Sequence, residues 1–217
     1  MIKGIIFDLD GTLFDSMRIW NDVGINYLKS IGVTPPNDLH NIVKSLSLFE
    51  AAEYFISEFN LKKTPKIIME EITQMLADFY ENEVDMKPGA AELLKCFKNK
   101  GIKMCIATAT DKLLVKKGLK KHCVDDYFED IITCETVGYG KDKPYIFREA
   151  LKAINVEKKD AVVFEDSIHA LKTAKADGFK TVGVYDESEP LQEKVKLYSD
   201  YYFKSLSDYE YISRIIL

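Results

Sequence analysis

Short apolar runs alternate with amphipathic stretches through most of the chain. A first run spans residues 3–7 and ends on Ile5, Ile6 and Phe7; others follow at 102–107, 131–134, 161–164 and 181–184, with a shorter one at 201–203. Runs of this length, rich in β-branched and aromatic residues, predict strands buried on both faces. The segments between them carry the 3.6-residue period of helices. In the segment 89–99, Leu93, Leu94 and Phe97 fall on one stripe and Gly101 ends it. A similar pattern predicts a helix over 144–153. Strands alternating with helices predict an α/β fold with a parallel sheet.

Residues 16–83 break that rhythm. Met17, Trp20, Gly24, Tyr27 and Ile31 recur at helical spacing, Pro35 and Pro36 punctuate, and 51–59 and 67–80 add further helices. This stretch predicts a helical insert directly after the first strand, with Trp20 packed inside it. The expected division is a core of 1–15 and 84–217 and an insert of 16–83.

Composition narrows the class. The chain has 217 residues, 47% hydrophobic and 30% charged, with a formal net charge of −5. That balance fits a soluble globular protein and argues against a nucleic-acid partner. The lysines at 112, 116, 117, 120 and 121 read as the solvated face of a helix. Cys96, Cys105, Cys123 and Cys134 lack metal-binding spacing and are expected to be reduced. No run approaches the ~20 apolar residues of a membrane span, so a cytoplasmic protein without a membrane partner is expected. His40, His122 and His169 read as surface residues.

The chemistry is concentrated at the strand ends. Asp8 and Asp10 lie two residues apart after Phe7, followed by Gly11 and Thr12. On a continuing strand, both carboxylates would leave the same face toward one exposed spot. Like charges that close favour either a shared proton or a bound cation. In an open parallel sheet, ligands gather beyond the carboxyl ends of the strands. There the chain offers Thr108, Ala109, Thr110 and Asp111 at a helix start, either an anion cradle or an ordinary cap. It also offers Lys141 and Lys143 in a glycine-containing loop, and Glu165 and Asp166 before Ser167. Adjacent acids are hard oxygen ligands of the kind Mg²⁺ prefers.

In this order the residues resemble the four motifs of the haloacid dehalogenase superfamily, in its branch of helically capped phosphatases and phosphoglucomutases. Asp8 to Ser16 resembles the first motif, Thr108 the second, Lys141 ahead of Pro144 and Phe147 the third, and Phe164 to Ser167 the fourth. The resemblance implies a Rossmann-like parallel core with an inserted α-helical cap. It implies a Mg²⁺-dependent phosphatase of a small phosphorylated metabolite, working through an aspartyl phosphate on Asp8, with Asp10 as acid and base. Thr108, Ala109 and Lys141 would bind the phosphoryl oxygens, with Thr108 and Lys141 also counted as catalytic. Asp8, Asp10 through its carbonyl, Asp166 and, further out, Glu165 would hold the metal. A monomer is expected.

Three alternatives stay open at this point. A phosphosugar mutase of the β-phosphoglucomutase type would need groups for a second phosphate. The stretch Lys44 to Phe49 lacks the arginine that family members use, and Lys44 has no bidentate grip. A phosphonate hydrolase would need a Schiff-base lysine, with Lys29, Lys44, Lys62 and Lys63 as candidates. A non-catalytic phospho-receiver would have no use for the insert. The dehalogenase reaction itself is disfavoured by an acid at position 10.

Overall fold

The computed structural model describes residues 1–43, 46 and 48–217. They form two compact units: Met1–Ser16 with Val84–Leu217, and Met17–Glu83.

The larger unit is built on six strands: β1 (Gly4–Phe7), β2 (Lys103–Thr108), β3 (Ile131–Thr133), β4 (Ala161–Glu165), β5 (Lys180–Val184) and β6 (Tyr201–Phe203). They lie in the order β3-β2-β1-β4-β5-β6, all parallel. This is the α/β architecture expected from the alternating pattern, and the strands match the predicted runs to within a residue or so. At Cys134 the run stops one residue early, because Thr133 and Thr136 form a reciprocal cap and the chain turns into a short helix, Cys134–Val137.

Strand β1 is central because neither of its faces meets water. Ile6 joins Cys105, Ala107 and Val163 against Ile146, Phe147, Ala150 and Ile154 of the helix Tyr145–Ile154. On the other face, Phe7 packs against Phe164 of β4 at 4.8 Å between ring centroids and against Phe97 of the helix Ala90–Asn99 at 6.3 Å. Phe7 and Phe164 are also register partners, so the aromatic contact fixes the alignment of the two strands that carry the acidic residues.

Beyond β1 the chain turns at once. Leu13 and Phe14 donate backbone hydrogen bonds to the carbonyl of Leu9, and Gly11 takes φ +83°, which a side chain resists. Phe14 then pairs antiparallel with Met86, where the chain returns to this unit. At the return, Val84 O accepts from Lys121 Nζ at 2.7 Å and lies 2.8 Å from His122 Nε2. The His122 ring packs on Phe14, so this histidine is half-buried and structural, contrary to its reading as a surface residue.

The smaller unit comprises the helices Met17–Ser30, Leu39–Val43, Leu48–Phe59 and Pro65–Asn82. Tyr27 stacks on Phe55 at 6.0 Å, and Gly24 leaves room for the same ring. Trp20 packs on Tyr80 as expected, donating to its hydroxyl at 3.0 Å, but is only half-buried. Lys63 Nζ binds both oxygens of Glu71. Those hydrogen bonds raise its pKa and keep it an ammonium, unsuited to Schiff-base chemistry. Lys44, Ser45 and Ser47 lie outside the described residues.

Gly89 supports the core from below the helix it caps. Its φ is +84°, and a Cβ there would lie 2.2 Å from Leu206 O. Gly89→Ala is expected to lower unfolding free energy by about 3 kcal/mol, combining a left-handed strain with a backbone collision. Urea denaturation measures it; a loss within ~0.5 kcal/mol would contradict the account.

Candidate active site

Four side chains from two strand ends and one loop meet at the carboxyl edge of the sheet. Asp8 follows β1, with its amide donating to Phe164 O at 2.9 Å. Glu165 ends β4, and Asp166 comes next. Lys141 reaches in from the loop before Tyr145. All four are buried: relative exposure is 6% for Asp8, 7% for Lys141, 1% for Glu165 and 5% for Asp166. Lys143, the other lysine of that loop, is exposed, so only Lys141 belongs to the cluster.

Lys141 Nζ donates to Asp8 Oδ1 and, at 2.7 Å, to Glu165 Oε1. The other Glu165 oxygen accepts the amide and hydroxyl of Ser167 at 2.8 and 2.9 Å. Thus the Ser167 side chain does not cap the helix Ile168–Ala176 but fixes Glu165. Thr12 Oγ1 donates to Asp166 Oδ1 at 3.3 Å.

Asp10 goes elsewhere. Ser16 Oγ donates to its Oδ1 at 2.5 Å and Thr110 Oγ1 to its Oδ2 at 2.6 Å. The two aspartates therefore take different hydrogen-bond partners, while Asp10 stays near enough for its charge to raise the Asp8 pKa. The strand ends at Phe7 and the turn begins at Leu9, so Asp8 is buried with Lys141 while Asp10 is held by two hydroxyls. Neither hydroxyl was among the residues predicted for the site. The helix cap is Asp111 rather than Thr110, its Oδ1 accepting from Leu113 N at 2.7 Å. Thr108 Oγ1 accepts the Thr110 amide at 3.1 Å, and Ala109 between them is exposed.

The charges explain what the cluster needs. One ligand oxygen from each of Asp8, Glu165 and Asp166 lies within 4.8 Å of the others, the only such group among the described residues. Three buried carboxylates face one ammonium. Burial pushes the Asp8 carboxyl up to about 7; Lys141 opposes that rise, whereas Glu165 and Asp10 add to it. Asp166 is raised well above the carboxylate range by burial, then by Glu165 and Asp8. Glu165 is also buried, but the Lys141 charge and the bonds from Lys141 and Ser167 hold it low. Burial would lower the Lys141 pKa, yet Asp8 and Glu165 raise it. The excess negative charge fits a divalent cation with oxygen ligands. The carboxylate of Asp10, occupied by Ser16 and Thr110, stands outside this group.

A family model of haloacid dehalogenase-like hydrolases matches residues 5–184. The chain belongs to the haloacid dehalogenase-like hydrolases. Among curated relatives, the phosphorylated carbohydrates phosphatase of Thermotoga maritima is 25% identical over 181 residues, covering 83% of this chain and 84% of that protein. The glyceraldehyde 3-phosphate phosphatase of Pyrococcus furiosus is 29% identical over 222 residues, covering 94% and 90%. In fold, this hydrolase is similar to CbbY from Rhodobacter sphaeroides, solved with phosphate: TM-score 0.77, 23% identity and 96% coverage of both chains. No helix among the described residues is long and apolar enough to cross a membrane.

The pH dependence of this hydrolase follows from Asp8. A carboxyl raised from 3.8 to about 7 binds more protons in the folded state than in the unfolded state across that interval. Cation-free protein should therefore lose stability as pH rises through it. A bound divalent cation removes the penalty, so the melting-temperature gain with millimolar MgCl₂ should be larger near pH ~8 than near pH ~5. Equal gains at both would contradict the charge argument.

Proposed function

We propose that this hydrolase is a Mg²⁺-dependent phosphatase that cleaves a small phosphomonoester through an aspartyl phosphate on Asp8. The observation that carries the reading is the separation of the two aspartates. Asp8 sits against Lys141 in the buried cluster, and Asp10 sits between the hydroxyls of Ser16 and Thr110. A nucleophile and an acid–base group need different surroundings, and these two carboxyls have them. The donor set of Asp8 and Asp166 side chains, with the Asp10 carbonyl and Glu165 further out, suits Mg²⁺. When bound, the ion would neutralise charge on the phosphoryl oxygens.

An oxygen of Asp8 attacks phosphorus and displaces the alcohol oxygen, which takes a proton from Asp10. The P–O bond to the alcohol breaks as the bond to Asp8 forms. A water then gives its proton to Asp10 and attacks the same phosphorus, releasing inorganic phosphate and restoring Asp8. Lys141, bonded to Asp8, steadies the nucleophile and supplies positive charge to the transferring group. The Thr108 hydroxyl and Ala109 amide complete the oxyanion contacts. The smaller unit, joined to the larger between Ser16 and Val84, would act as a cap that excludes water and selects the substrate. A cytoplasmic metabolite is the fitting substrate class, in line with the sugar and triose phosphates named for the two relatives.

Asp8→Asn should reduce phosphate release from an aryl phosphate by at least ~10³-fold, because the amide is a poor nucleophile. Asp10→Asn should harm alkyl phosphates far more than activated aryl phosphates, whose leaving groups need no proton. Steady-state phosphate assays with and without a chelator measure both. Full activity in Asp8→Asn, or indifference to chelation, would defeat the proposal.

A further inference from the structure

A second buried ion pair stands apart from the catalytic cluster. Lys87 Nζ lies 2.8 Å from Asp186 Oδ2, with the two side chains 12% and 4% exposed, and it also donates to Tyr185 O at 2.5 Å. The other Asp186 oxygen accepts the Ser188 amide at 2.9 Å. Replacing a buried pair by apolar residues of similar volume is often neutral or stabilising, so stability alone does not account for this one. What the pair fixes is position.

Position matters because Lys87 is bonded to the turn that carries Asp10. Its amide donates to Leu13 O at 2.8 Å, and the amides of Leu13 and Phe14 both donate to Leu9 O at 2.8 Å. Phe14 forms backbone bridges with Asp10 and with Met86, the residue before Lys87. A continuous set of bonds thus runs from Asp186, just past β5, through Lys87 to the backbone of Asp10. The other end of the ribbon is held separately, where Lys121 and His122 meet Val84 O. Packing does not replace the anchor at Lys87, because a cavity of about 280 Å³, lined in part by Asp15, Lys87, Asp186 and Lys204, opens beside it.

We propose that the Lys87–Asp186 pair positions Asp10, holding the turn from Leu9 to Phe14 so that the Asp10 carboxyl keeps the place from which it protonates the leaving group. Both residues act through the turn. The inference rests on the phosphatase reading and on the acid role of Asp10 in it.

The test uses the leaving group, since 4-nitrophenyl phosphate needs no proton from Asp10 and an alkyl phosphate such as glycerol 3-phosphate does. Lys87→Met/Asp186→Leu removes both charges together and avoids leaving either buried alone. Relative to the aryl phosphate, its kcat on the alkyl phosphate should fall about 10- to 100-fold, with KM within ~2-fold of the parent. Combined with Asp10→Asn, the double substitution should add nothing to the alkyl loss. Asp186→Asn should show a smaller loss of the same kind, and it decides the matter if the double variant does not fold. Lys87→Arg, which keeps the charge and the donors, should restore the parent ratio. A ratio unchanged within ~2-fold, or an equal fall on both substrates, would overturn the inference while leaving the phosphatase reading in place. A parent that cleaves the aryl phosphate alone would remove the acid role of Asp10 and this inference with it, and one that cleaves neither would overturn the phosphatase reading as well.

Discussion

Three buried carboxylates around a single ammonium are the constraint on which the site turns. Left to itself, the set is short of positive charge, and the folded protein must hold protons on Asp8 and Asp166 or admit a cation. Lys141 alone cannot balance the cluster, but it decides how the imbalance is distributed. By bonding Asp8 and Glu165 it lowers the proton affinity of Glu165, while Asp166, which accepts from Thr12, is raised by burial and by its acidic neighbours. The residual demand falls between Asp8 and Asp166. A group with an affinity for both carboxylates and phosphoryl oxygens is what such a gap would attract.

The sheet makes that imbalance tolerable by being rigid. Asp8 and Glu165 are held at a fixed separation because β1 and β4 are aligned in parallel register and locked by Phe7 on Phe164. Any slip by one residue would send Phe7 to the other face and pull Asp8 away from Lys141. The cost of gathering like charges is thus offset by aromatic and aliphatic burial immediately beneath them, where the helix Tyr145–Ile154 covers one face and Phe97 the other. The same helix is preceded by the loop that delivers Lys141. Packing energy and the position of the ammonium are therefore coupled.

Much of this was legible in the sequence, and the reason is local. Apolar runs declared the strands, and the residues just past them, Asp8, Thr108 and Glu165 with Asp166, had to lie along one edge once the strands were parallel. Periodicity alone leaves Lys141 and Lys143 as equals in one loop; the family resemblance singles out Lys141, and its burial agrees. The partners of Asp10 were hidden for a different reason. Ser16 and Thr110 are 6 and 100 residues from it, and a hydroxyl carries no sequence signal for which acceptor it will find. Strand periodicity does not run past Phe7, because Gly11 and the Leu9 carbonyl close a turn there, and the two aspartates take different partners.

The turn is what gives the two acids different partners. On a continuing strand they would have been equivalent and mutually repelling, each as able as the other to take the proton. The turn removes Asp10 from the buried cluster by a few bonds of chain and hands it to Ser16, the last residue of the larger unit before the helical insert begins. The second hydroxyl, Thr110, comes from the segment after β2, whose own helix start is satisfied by Asp111. Had Thr110 been needed as the cap, Asp10 would have lost that donor. A capping choice at a helix terminus thus determines how firmly the second carboxyl is held apart from the first, and with it whether two aspartates two residues apart can perform two roles.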